Sequence, residues 1–206
     1  MLDLLSFFQD LAGGSYCVVK MSATFPGYQE GEDVDIFCYS VADFTSKILS
    51  WGKNYVADGF EIRVTNVHKK EHVHVDLYRG QVLHFRFDLY GALPLYRKLS
   101  IKPALFESVI ENAQAVPHQT PTASASVRTP CRVDDLLIRY LEFMEWYDVR
   151  PSKIKHLDII MESVDAETRE RLVEKLHHYT KLPPIFVPQQ CPFCRLTGRI
   201  KKYLPG

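Results

Sequence analysis

Three period-two runs in close succession constrain this chain more than any other feature. FEIRVTNV begins at Phe60, HVHVDLY at His72 and VLHFRFDLY at Val82. Strict alternation sends successive side chains to opposite faces of a strand, so each run buries one set and exposes the other. With Arg79-Gly80-Gln81 between the second and third runs, the pattern predicts an antiparallel meander. A three-residue loop there sets Tyr78 opposite Val82 and pairs Asp76 with His84, His74 with Arg86 and His72 with Asp88. Val73, Val75, Leu77, Leu83, Phe85 and Phe87 then line the core side. The six ionisable side chains share the other face, which is more than solvation requires.

Upstream, helix and strand signals alternate as they do in α/β domains. Leu4, Leu5, Phe8 and Leu11 fall on one helical face, and Gly13-Gly14 ends that helix. YCVVK, residues 16 to 20, reads as a short strand. A turn-rich stretch holding Pro26, Gly27 and Gly31 leads to a second strand over Val34 to Tyr39. Phe44, Ile48 and Trp51 then recur at helical spacing.

Downstream, Pro103 to Gln114 reads as helix. AVPHQTPTASASVRTP, residues 115 to 130, is rich in Pro, Ser, Thr and Ala without periodicity and reads as a flexible linker or surface loop. Beyond it come three helical stripes. Val133, Leu137, Tyr140, Leu141 and Met144 make the first, with Asp134 and Asp135 in its opening turn. Ile154, Leu157, Met161 and Val164 make the second, and Leu172, Val173 and Leu176 the third, after an Asp165 cap. The expected organisation is a core over 1–114, a linker over 115–130, and a helical region over 131–206 that ends in a proline-rich basic tail.

Charge and cysteine content narrow the function classes. Lys plus Arg and Asp plus Glu number 25 each, so no global positive field draws in nucleic acid or an anionic membrane. No apolar run approaches the ~20 residues of a membrane helix, and MLDLLSFFQDLAGG carries two acids and no basic leader. The five cysteines, at 17, 38, 131, 191 and 194, make no disulfide framework, so the expectation is a cytoplasmic chain in a reducing compartment.

The residues most suggestive of chemistry are Asp33 and Asp35 in EGEDVDIFCYS. At positions i and i+2 of a strand they project to one side, where two anions repel unless a cation sits between them. Hard Mg²⁺ prefers such carboxylate oxygens, supplemented by water and substrate phosphate.

The context of that pair, VVKMSATFPGYQEGEDVDIF, followed by VDLY and by RVDDLLIRYLEFMEWY leading to IKHLDIIM, resembles the nucleotidyltransferase-fold superfamily, and within it the uncharacterised nucleotidyltransferase branch. The similarity spans roughly residues 14 to 162. It implies an α/β (α+β) fold with a mixed sheet, flanking helices and a helical C-terminal region. It also implies Mg²⁺-dependent transfer from a nucleoside triphosphate to a hydroxyl or phosphate acceptor. On this resemblance Asp33, Asp35 and Asp76 are the metal ligands and catalytic acids, and Asp88 is the other candidate for the third acid. Met21-Ser22 stands where the family carries a Gly-Ser turn. Ser22, Lys20 and Arg86 are then the candidates for contacting phosphate, while Met21 in place of glycine makes close backbone approach to a phosphate harder.

Two other readings belong to different classes. A catalytically silent member of the same fold would serve as a binding or regulatory module, in keeping with Met21 and the absence of a glycine-rich cradle. A zinc-stabilised interaction protein would use Cys191-Pro-Phe-Cys194, with His177 or His178 completing the ligand set. His72, His74 and His84 are potential ligands for zinc-like metals as well, or simply strand histidines.

Overall fold

The computed structural model describes residues 2–11, 13–68, 71–121 and 123–182. The chain forms two units, one of residues 1–94 and 106–131, the other of 95–105 and the chain from 132 onward. In the first unit the elements run α1 (Leu4–Gln9), β1 (Tyr16–Val19), β2 (Glu32–Cys38), α2 (Val41–Gly52), β3 (Phe60–His68), β4 (His72–Arg79), β5 (Val82–Tyr90), α3 (Ala104–Glu111), β6 (Gln114–Gln119) and β7 (Ser124–Thr129). The first two residues of α3 fall in the other unit.

The period-two runs form β3, β4 and β5, an antiparallel meander as the alternation predicts. The five-stranded sheet has the order β1-β2-β5-β4-β3. Only β2 and β5 run parallel; their neighbours pair antiparallel. This mixed sheet with flanking helices is the α/β class expected from the sequence.

One face of the sheet carries Val34, Ile36, Val75, Leu77, Phe85 and Phe87, all buried beneath α1 and α2. Phe7 of α1, Trp51 of α2 and Phe87 of β5 form a closed aromatic trio with centroid separations of 5.1 to 5.7 Å. Each such pair contributes about 0.5–1.5 kcal/mol beyond its area burial, so the trio fixes both helices over β5. Local capping assists: the Asp3 carboxylate accepts from the Ser6 amide at 3.2 Å, and the Ser40 hydroxyl from the Asp43 amide at 3.2 Å. Gly52 closes α2 against β3 so tightly that a Cβ there would lie 2.5 Å from Ile62 Cδ1.

The register of β4 with β5 corrects the sequence expectation. The connection is a two-residue turn, Gly80-Gln81, with Gly80 at φ 63°, so Arg79 rather than Tyr78 faces Val82. A bulge between Leu77 and Tyr78 adds a second one-residue shift. Asp76 therefore faces Arg86, His74 faces Asp88 and His72 faces Tyr90. His84, the residue at the bulge, leaves the polar face: its Nδ1 lies 3.2 Å from the Tyr28 hydroxyl, and its ring meets Phe60 of the core.

Residues 115–130, read from composition as a linker, are instead mostly the hairpin β6–β7, which belongs to the first unit. Buried Val127 joins the core. Arg128 anchors the hairpin, its Nε donating to the Tyr16 carbonyl at 3.2 Å and its Nη2 to the Ile110 carbonyl at 3.1 Å. The Gln9 side chain donates to the Ser124 carbonyl at 2.7 Å.

The second unit contains α4 (Arg132–Trp146), α5 (Ile154–Ser163) and α6 (Ala166–Tyr179), which match the three apolar stripes. Asp165 caps α6 as expected, accepting from the Thr168 amide at 2.8 Å. The acids of α4 are structural: buried Asp134 pairs with Lys175, and Glu145 accepts the backbone amides of Arg97 and Lys98 at 2.9 and 3.0 Å. Lys153 pairs with Glu142 at 2.6 Å. Cys191, Cys194 and the basic tail lie outside the described residues.

Candidate functional site

The face of the sheet opposite the α1–α2 core is built from cross-strand rungs. Register sets Asp33 of β2 beside Arg86 of β5, which in turn faces Asp76 of β4. The next rung is Asp35, Asp88 and His74, and the one after it Phe37, Tyr90 and His72. Adjacent strands lie ~4.8 Å apart, so each rung brings its side chains within reach of direct contact. Phe106 of α3 meets Phe37 at 5.1 Å, and Phe37 meets Tyr90 at 5.9 Å, so an aromatic group closes this end of the polar face.

Asp35 is the most perturbed acid of the group. Its carboxyl is raised to about 6: burial is the largest cause, the nearby charge of Lys20 and its hydrogen bond oppose the rise, and Asp88 and Asp33 add to it. Lys20 lies just past β1, its backbone at φ 55°, with Nζ 2.8 Å from Asp35 Oδ2. A non-glycine residue in the left-handed region is uncommon, and here it ends β1 at the residue whose ammonium meets the acid. Asp33, two residues before Asp35 on the same side of β2, is exposed.

Asp76 sits differently from Asp88. It is only 4% exposed and is gripped by Arg86 through two bonds, Nε to Oδ1 at 2.6 Å and Nη2 to Oδ2 at 3.0 Å. That fork holds the Arg86 guanidinium above its ordinary range. Asp88 is held by neutral-capable groups: Tyr90 donates to Oδ2 at 3.0 Å, while His72 Nε2 and His74 Nε2 lie 2.6 and 3.3 Å from Oδ1. Burial depresses the His74 pKa against the pull of Asp88, favouring the neutral imidazole.

The structure thus brings Lys20, Asp33, Asp35, Asp76, Arg86 and Asp88 onto one face. Ser22 turns into its own loop, its hydroxyl 2.7 Å from Thr24 Oγ1 and accepting the Thr24 amide at 3.3 Å. Tyr90 is the member of the site that sequence reasoning missed. The signal was present: in DLY the alternation that exposes Asp88 also exposes Tyr90 on the same face.

The donors fall into two chemical types. Asp33, Asp35 and Asp88 offer oxygen alone and suit a hard divalent cation. His72, His74 and Asp88 have ligand atoms within 4.8 Å of one another and mix two nitrogens with one oxygen.

No protein-family model matches the chain, and no curated protein matches it in sequence. Among solved structures it is similar to MenT4, a nucleotidyltransferase toxin from Mycobacterium tuberculosis H37Rv, at 9% identity and a TM-score of 0.49, over 88% of this chain and 68% of that one. A likeness this distant leaves the functional reading to the residues of the site.

Proposed function

We propose that this chain is a metal-dependent nucleotidyltransferase that moves a nucleotidyl group from a nucleoside triphosphate to a hydroxyl or phosphate acceptor. The observation that carries the reading is the placement of Asp33 and Asp35 on one side of β2, with Asp88 in register beside Asp35 on parallel β5. The all-oxygen donor set fits Mg²⁺, and the Asp35 carboxyl, raised mainly by burial and further by Asp88 and Asp33 against the pull of Lys20, is one whose ionised form a bound cation would stabilise. Asp33, Asp35 and Asp88 would hold Mg²⁺, which when bound supplies stabilisation for the attacking oxygen and the departing pyrophosphate.

The remaining residues take roles that follow from their contacts. Asp88 is the third carboxylate in this reading because it adjoins Asp35 on the neighbouring strand, whereas Asp76 lies one strand further from β2 and is gripped by the Arg86 cation. Asp76 holds the side chain of Arg86, whose backbone stands in register with Asp33, and the remaining guanidinium donors would contact a substrate phosphate. Lys20 pairs with Asp35 and would contact a phosphate oxygen of a bound nucleotide if the acid were held by a cation instead. Ser22, held in its own turn, is the weakest candidate for a phosphate contact.

A second reading has its own support. The ion pairs Lys20–Asp35 and Arg86–Asp76 already balance two of the acids without metal, and Met21 occupies the phosphate turn, as in a silent binding module of the same fold. Pyrophosphate release and nucleotide binding separate the two. The transferase reading expects Mg²⁺-dependent release from at least one nucleoside triphosphate, abolished by Asp33→Ala with Asp35→Ala. Nucleotide binding without release supports the silent module, and release that survives the double variant removes the site assignment.

A further inference from the structure

We propose that His72, His74 and Asp88 form a transition-metal site of the zinc class, distinct from the acidic pair on β2. The site shares Asp88 with the proposed Mg²⁺ cluster but does not depend on nucleotidyl transfer. His72 and His74 are i and i+2 residues of β4, so the strand itself sends both imidazoles to the same face. Both Nε2 atoms converge on one oxygen, Asp88 Oδ1, at 2.6 and 3.3 Å.

Bonds of ~2.0–2.2 Å from zinc to nitrogen and oxygen put tetrahedral ligand atoms about 3.3 Å apart. The His74–Asp88 separation of 3.3 Å already has that value, and His72 needs to withdraw from Asp88 by less than about 1 Å to match it.

The carboxylate is oriented before any metal arrives. Tyr90 donates to Asp88 Oδ2 at 3.0 Å, which leaves Oδ1 facing the histidines. The Tyr90 ring also stacks on His72, with centroids 4.3 Å apart and planes 20° from parallel, fixing the imidazole plane. This is the arrangement by which surrounding groups tune metal ligands. Two imidazoles select against Mg²⁺ and for zinc and its neighbours. Three protein ligands leave a coordination position for water or a phosphate oxygen.

The test uses the full chain carrying Cys191→Ser and Cys194→Ser, so that those thiols cannot take up the metal. Co²⁺ is titrated by visible absorption and Zn²⁺ by calorimetric competition. The expected result is one equivalent bound, weakened at least about 100-fold by His72→Gln with His74→Gln, about tenfold by Tyr90→Phe, and less than about threefold by Asp33→Asn. X-ray absorption of the Zn²⁺ complex of the chain with native histidines should show two imidazole ligands, which keeps the test decisive if a histidine variant folds poorly. Uptake that is indifferent to the histidine changes, abolished by Asp33→Asn, or free of imidazole ligation overturns the proposal, as does no uptake at all.

Discussion

Replacing Lys20 with methionine tests how the acidic cluster is balanced. The Asp35 carboxyl stands at about 6 in the folded chain against 3.8 ordinarily. Between those values the folded state binds more protons than the unfolded state, so stability falls as pH rises through the window. At 1.36 kcal/mol per unit, ionising Asp35 costs the fold about 3 kcal/mol at pH 8. Lys20, with Nζ 2.8 Å away and a side chain 16% exposed, keeps the cost from being larger.

Without Lys20 the Asp35 pKa climbs further, and each additional unit removes about 1.4 kcal/mol at pH 8. With both side chains largely shielded from solvent, the expected loss is about 2–3 kcal/mol at pH 8. It shrinks to under about 1 kcal/mol at pH 5, where Asp35 is already mostly protonated in both proteins. Urea unfolding of the wild-type and Lys20→Met chains at the two pH values, with EDTA present, reads this directly. Adding Asp35→Asn to Lys20→Met should flatten the difference between the pH values. An equal loss at pH 5 and pH 8 would refute the electrostatic account and reduce Lys20 to packing.

Other consequences follow from particular contacts. Arg86→Gln leaves nearly buried Asp76 uncompensated and should cost about 3 kcal/mol by chemical unfolding, while Arg86→Gln with Asp76→Asn should cost less than the sum of the two single changes; additive losses would mean the fork is not coupled. Gly52→Ala should lower stability by about 1–2 kcal/mol, because its Cβ meets Ile62 Cδ1, and Ile62→Val should recover part of that loss; a neutral Gly52→Ala contradicts the close approach. Arg128→Met removes the bonds to the Tyr16 and Ile110 carbonyls, so hydrogen exchange should accelerate across β6 and β7 while β3 stays protected; uniform exchange rates would show that the hairpin is held by other means.

How far the sequence could reach is visible in individual residues. The alternation from Phe60 to Tyr90 and the stripes from Val133 to Leu176 are burial patterns, and burial is what the fold obeys, so the meander and the three helices were legible. Register was less so, because it depends on backbone details. Gly80 permitted a two-residue turn and the bulge at Leu77 and Tyr78 moved the pairing again, two shifts that kept His72, His74, Asp76, Arg86 and Asp88 on one face, took His84 off it and exchanged every partner. That exchange put Arg86 on Asp76 and left Asp88 to Tyr90 and the histidines. The hairpin at 114–129 was hidden because β6 is mostly exposed and contains Pro117, so it lacks the apolar alternation of a core strand. Its stability comes from Val127 and the long-range bonds of Arg128, which no local pattern reveals.

The measurement closest to the central claim is Mg²⁺-dependent pyrophosphate release from a panel of nucleoside triphosphates, comparing the wild-type chain with Asp33→Asn, Asp35→Asn and Asp88→Asn. The account predicts turnover in the wild type that falls at least about 100-fold in each variant, with circular dichroism showing each variant folded. Turnover that survives in these variants, or a folded wild type that binds no nucleotide in the presence of Mg²⁺, would contradict it.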